Sequence, residues 1–67
     1  MTWSEAFDAY LKKHGIHGSD AARALDKSPS TVLYWRRGSV PHDDDTLARV
    51  EKWTDGKVKA SLATRAA

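Results

Sequence analysis

No cysteine occurs among the 67 residues, and that absence limits what the chain is able to fold into more than any other single feature. A domain of this length buries only about 60 % of the surface its unfolded chain exposes. Small domains often add disulfides or thiolate zinc sites to make up the difference, and neither is open here. Stability has to come from packed helices or strands. Hydrophobic residues make up 40 % and charged residues 30 %, with two prolines, a globular rather than a disordered composition. The longest apolar runs are three or four residues, too short for a membrane span. Met1 leads into Thr2-Trp3-Ser4-Glu5 with no basic and apolar leader, so a cytoplasmic protein is expected.

Lys and Arg number 11 against 9 Asp and Glu, a balance of +2 that only weakly favours a polyanionic partner. Its distribution is more telling. Residues 36–67 hold seven basic and five acidic side chains, and three of those five are the run Asp43-Asp44-Asp45.

Helix signals recur along the chain. Thr2 and Glu5 have the spacing of a capping box, and Trp3, Ala6, Phe7, Tyr10 and Leu11 form one apolar stripe behind it. Lys12, Lys13 and His14 suit the negative dipole end and Gly15 suits a left-handed stop, so the first helix is predicted over about 3–14. Ser19 is the expected N-cap of a short helix through Ala21, Ala22, Ala24 and Leu25. Ser28-Pro29 opens a third helix, to about Arg37, and Gly38 ends it. A fourth carries the three aspartates in its first turn and Leu47, Val50 and Trp53 in its body, with Asp55-Gly56 as its stop. From Lys57 onward Val58, Ala60 and Leu62 alternate with Lys57, Lys59 and Ser61, the period of a short strand. Residues 63–67 carry no signal and are expected to fray. The fold class that follows is all-α: a compact bundle of four to five helices, one domain over about 1–62, with a short extended C-terminal segment.

Residues 18–38 are the informative unit, a short helix, a turn and a second short helix. Ala22 is small where two such helices would touch, and Val32 and Trp35 share the face that would seat the second helix. Ser30, Leu33, Tyr34 and Arg37 fall on the opposite face. Leu33 and Tyr34 are unusual there, since a solvated face more often carries Lys or Glu.

The strings Ser19-Asp20-Ala21-Ala22-Arg23-Ala24-Leu25 and Ser28-Pro29-Ser30-Thr31-Val32-Leu33-Tyr34-Trp35-Arg36-Arg37-Gly38 resemble the Cro/C1-type (lambda-repressor-like) helix-turn-helix regulators of phages and bacteria. Val50-Glu51-Lys52-Trp53-Thr54-Asp55-Gly56-Lys57-Val58 is similar to the fourth helix and following segment of short Cro-like members. Together the matching strings span about residues 16–58. The resemblance implies a sequence-specific DNA-binding transcriptional regulator, a phage or prophage repressor in a bacterial host cell. It would act without cofactor or small-molecule ligand, as a homodimer on a palindromic operator, reading the major groove of double-stranded DNA with a helix-turn-helix at about 19–37.

The chain departs from the family pattern at three positions. Asp26 stands where a turn glycine is usual, Gly18 where a glutamine commonly clamps phosphate, and Pro29 where a base-reading polar residue is common. Base reading then falls to Ser28, Ser30, Tyr34 and Arg37, with Leu33 against a thymine methyl. Ser19, Arg23, Lys27 and Arg36 are the expected phosphate contacts. The C-terminal alternation has three readings: a strand pairing with a second protomer, a segment folded back on its own core, or a disordered basic arm. The family resemblance favours the first, with Val58, Ala60 and Leu62 at the dimer contact.

Blander assignments stand beside these. Trp3, Phe7, Tyr10, Trp35 and Trp53 have core spacing. His14 and His17 straddle Gly15 with no third ligand in view, so no metal is expected. The aspartate run is expected to compensate the helix dipole. No nucleophile elbow, phosphate loop or carboxylate pair is present, so an enzyme is not expected. The alternative function is a protein-interaction module, antitoxin-like or adaptor, that docks Leu33 and Tyr34 into a protein.

Overall fold

The computed structural model describes residues 1–63, and within them the chain is all-helical. Four α-helices run in order, α1 (Trp3–His14), α2 (Gly18–Ala24), α3 (Pro29–Arg36) and α4 (Asp44–Trp53), followed by one 3₁₀ turn, Ala60–Ala63. No fifth α-helix forms among the described residues, against the upper end of the expected four to five. No helix among the described residues is long and apolar enough to cross a membrane.

The start signals of three helices act as their residue types require. The Thr2 N–H donates to Glu5 Oε1 at 2.8 Å while the Glu5 N–H donates to Thr2 Oγ1 at 3.1 Å, so α1 begins on a complete capping box. Ser28 caps α3 by accepting the Thr31 N–H at 3.3 Å, with Pro29 in the first position. Asp43 caps α4, accepting both the N–H and the hydroxyl of Thr46 at 2.9 and 2.7 Å. Those two bonds, the hydroxyl's first, hold the Asp43 carboxyl below its ordinary range. Asp44 and Asp45 occupy the first turn proper. At α2 the expectation needs correcting. Its cap is His17, with no side-chain bond, and Ser19 lies inside the helix, because Gly18 already has helical backbone.

The core is aromatic where α1 meets α3. Trp3 and Phe7 stack with centroids 5.1 Å apart, and the Trp35 ring meets each of them edge-on at 5.7 Å, the offset and T-shaped arrangements that ring quadrupoles favour. Ala21, Ala22, Leu25 and Val32 extend this core to α2. Leu47 and Val50 bring in α4, and Tyr10 meets Trp53 at 5.8 Å. Two side-chain bonds fasten the connections: Ser4 Oγ donates to the Ser39 carbonyl at 2.9 Å and Arg49 Nη1 to the Leu25 carbonyl at 3.4 Å.

The strand expected over 57–62 does not form. Val58 is fully buried in its own protomer's core, and its N–H donates to Thr54 Oγ1 at 3.1 Å. The Ala60 N–H donates to Glu51 Oε1 at 2.8 Å. Side chains of α4 and of its C-cap, Thr54, thus satisfy backbone donors that a strand would have offered to a neighbour. The segment folds back over its own bundle, and Ala63 closes the 3₁₀ turn rather than opening a frayed tail. The rest of that expected tail, 64–67, lies outside the described residues. Val58 is therefore withdrawn from any dimer contact; Ala60 is half-buried and Leu62 is 38 % exposed.

Asp26 takes up φ +58° in the turn between α2 and α3, a left-handed conformation that is unfavourable for any residue with a Cβ. Asp26→Gly is expected to stabilise the fold by about 0.5–1 kcal/mol, the strain relieved less the greater unfolded freedom of glycine, as a higher urea midpoint with an unchanged slope. Trp35→Ala removes the ring shared by α1 and α3, and a loss of about 3–5 kcal/mol is expected to leave so small a domain largely unfolded by circular dichroism at room temperature.

Candidate nucleic-acid interface

The unit formed by α2 and α3 is built from small residues on one side and branched or aromatic ones on the other. Ala21 and Ala22 are buried. At the start of α2 a Cβ on Gly18 would lie 3.8 Å from Val32 Cγ1, so the two helices approach closely. The Lys27 N–H donates to the Ala22 carbonyl at 2.8 Å, closing α2 just after the left-handed Asp26. Ser28 then opens α3, and Val32 and Trp35 anchor it inward.

What α3 presents outward is a stripe at i, i+3, i+4 and i+7: Ser30, Leu33, Tyr34 and Arg37, all exposed. Leu33 is 46 % and Tyr34 58 % exposed, two of the larger apolar surfaces among the described residues. Arg37 follows the last helical residue, and Gly38 turns the chain away at φ +127°, a conformation reserved for glycine. Arg23 and Lys27 are also exposed. Over residues 18–38 the basic side chains are Arg23, Lys27, Arg36 and Arg37 and the acidic ones are Asp20 and Asp26, a modest local excess of positive charge.

Two expected contacts have additional duties. The Ser28 hydroxyl is engaged in capping and in a 2.9 Å bond with Thr31 Oγ1, so it is not a free base-reading group. Arg36 is half-buried, and its Nε donates to Asp8 Oδ1 on α1 at 2.6 Å. Lys12 Nζ stands 3.1 Å from the other Asp8 oxygen. The hydrogen bond from Arg36 is the largest of the influences that hold the Asp8 carboxyl below its ordinary range, with the bond to Lys12 and both nearby positive charges adding to it against partial burial.

Beside Tyr34 lies an open groove of about 320 Å³ whose walls include Lys27, Thr31, Trp35, Pro41 and His42. His14 stacks its ring on Tyr10 at 4.3 Å. Among the described residues no three His, Asp or Glu side chains converge as a metal site would require.

No family model matches the chain, no curated protein matches it and no solved structure matches it.

Asp8 is the residue that the sequence did not announce. It is 28 positions from Arg36, and no local spacing rule connects residues that far apart; only the packing of α1 on α3 brings them together. Because its pKa is lowered in the folded state, the stabilisation it supplies is complete above the unfolded value of 3.8 and is lost as pH falls through the lower folded value. Asp8→Asn is expected to be less stable than the unaltered chain at pH 7, with the difference in urea titrations shrinking as pH falls below 3.8.

Proposed function

We propose that the chain is a sequence-specific, double-stranded DNA-binding transcriptional regulator in which α2 and α3 act as a helix-turn-helix. The reading follows the lambda-repressor-like resemblance to a Cro-like phage or prophage repressor. A homodimer would occupy two half-sites of a palindromic operator about 10 bp apart centre to centre, and repression would follow from covering promoter DNA. The observation that carries the reading is the outer face of α3. Ser30, Leu33, Tyr34 and Arg37 stand exposed in one stripe on a helix fixed from behind by Val32 and Trp35.

That stripe has the chemistry a major groove asks for. An arginine fork pairs with the O6 and N7 of guanine, hydroxyls bond to either base type, and an aliphatic group meets the thymine methyl. Arg37, Ser30 with Tyr34, and Leu33 supply these in turn. Ser28 is better read as the residue that holds the start of α3 in register, given its hydroxyl's bonds within the turn. Ser19, Arg23 and Lys27 are placed for the phosphate backbone, where they orient without specifying.

The second face of the dimer is assigned differently from the sequence expectation. With Val58 inside the core and Ala60 packed against it, a contact between copies would use the exposed Leu62 rather than a shared strand.

Selection from random duplex DNA by the purified chain tests the reading. A single enriched motif with two-fold symmetry is expected, and the affinity for it should fall steeply with salt as phosphate contacts release counterions. Arg37→Ala is expected to cost about 1–3 kcal/mol and to relax one base position; a uniform loss on every sequence would reassign it to phosphate. Enrichment of no motif, together with a flat salt response, would leave Leu33 and Tyr34 as a protein-docking surface instead.

A further inference from the structure

Asp8 lies on α1, outside the two helices assigned to the groove, yet its carboxylate determines the placement of a cation on α3. It accepts Arg36 Nε–H at 2.6 Å and gives its second oxygen to Lys12 at 3.1 Å. A guanidinium has five N–H donors in one rigid plane, and Nε–H is one of them. The other four belong to the two terminal nitrogens, and no further hydrogen bond from Arg36 occurs among the described residues. The parallel two-bond arrangement common between carboxylate and guanidinium is not used, since the second Asp8 oxygen faces Lys12. Here Asp8 takes one donor and leaves the outer end of the fork open.

That outer end has a defined location. Nη1 lies 3.9 Å from the position a Cβ on Gly18 would take, beside the first turn of α2 and close in sequence to Ser19. Both side chains remain about a quarter exposed, 27 % for Arg36 and 26 % for Asp8, so the free donors are within reach of a ligand from solvent. Fixing Nε fixes the plane of the whole group, and a long side chain with many rotamers is held ready before any ligand arrives.

We propose that Asp8 is a positioning residue for DNA: it holds the Arg36 guanidinium so that the terminal donors meet a backbone phosphate beside α2 and α3. The proposal rests on the DNA-binding reading above. It makes a claim opposite in sign to simple electrostatics, under which removing a carboxylate near DNA strengthens binding.

The test is the affinity of Asp8→Asn for the duplex that the unaltered chain selects from random DNA. It is measured by fluorescence anisotropy over a salt series, at a temperature where circular dichroism shows both proteins fully helical. Binding about tenfold weaker is expected, the loss of one charge-assisted contact. The slope of log affinity against log salt should become shallower by about 0.9, the share of one phosphate. Arg36→Gln should show the same loss, and the double variant no more than either single one. Equal or tighter binding by Asp8→Asn overturns the proposal. So does an unchanged slope, since a strut that only stabilises the fold leaves the contacts of the folded molecules as they were. Arg36→Lys keeps both charges but lacks the fork, and covers the case in which Asp8→Asn does not fold. The same weakening is expected of it, and undiminished affinity overturns the proposal by itself. Failure of the unaltered chain to select any duplex is a separate result, which removes the DNA-binding reading and the proposal with it.

Discussion

Trp35 is where α3 is fixed to the rest of the molecule, and the remaining geometry depends on that contact. Its ring meets the faces or edges of Trp3 and Phe7 on α1 at 5.7 Å, while Val32, one turn earlier, packs toward α2. Aromatic pairs of this kind contribute about 0.5–1.5 kcal/mol each beyond their buried area. In a domain of 67 residues such terms are a large part of a total stability of about 0.05–0.15 kcal/mol per residue. An eight-residue helix is marginal on its own in water. α3 is helical because two of its residues are buried, and the direction in which they point settles which four are left outside.

Much of this was legible in the sequence because it is written locally. A capping box and a Ser-Pro start each bind donors within three residues of themselves, and the apolar stripe of α1 repeats within two turns; Asp43, expected in the first turn of the fourth helix, is its N-cap. The burial of Val32 and Trp35 and the exposure of Ser30, Leu33, Tyr34 and Arg37 followed from helical period alone. What was not legible depends on residues distant in the chain. Asp8 and Arg36 are joined by the packing of α1 against α3. The cap of α2 falls at His17, two residues before Ser19, with Gly18 the first helical residue.

The C-terminal segment shows how a true periodicity can point to the wrong structure. Val58, Ala60 and Leu62 do differ from their neighbours, and Val58 is fully buried. A period of two over six residues describes equally well a chain that drops one side chain into the core and then turns. The choice was made by two polar side chains, one on α4 and one at its C-cap. Thr54, buried and bonded to the Val50 carbonyl at 2.8 Å, also accepts the Val58 N–H, and Glu51 reaches the Ala60 N–H nine residues on. A strand needs unpaired backbone groups to recruit a partner, and these two are already paired.

The same economy bears on the proposed interface. A chain this small has few side chains to give to binding alone, so several serve twice. Ser28 starts α3 and lies on the side proposed to face DNA; Trp35 fills the core and aims the stripe. Arg36 fits this pattern better than that of a free surface cation, since a half-buried guanidinium needs a partner to offset its desolvation. Asp8 is that partner, and its lowered carboxyl reflects an attraction that outweighs the desolvation of the pair. A single Nε bond to Asp8, with the terminal nitrogens left open, is what would be expected if the arginine must hold α1 to α3 and still meet an anion. The strut and the contact then become one device, in which folding and phosphate recognition draw on different donors of the same planar group.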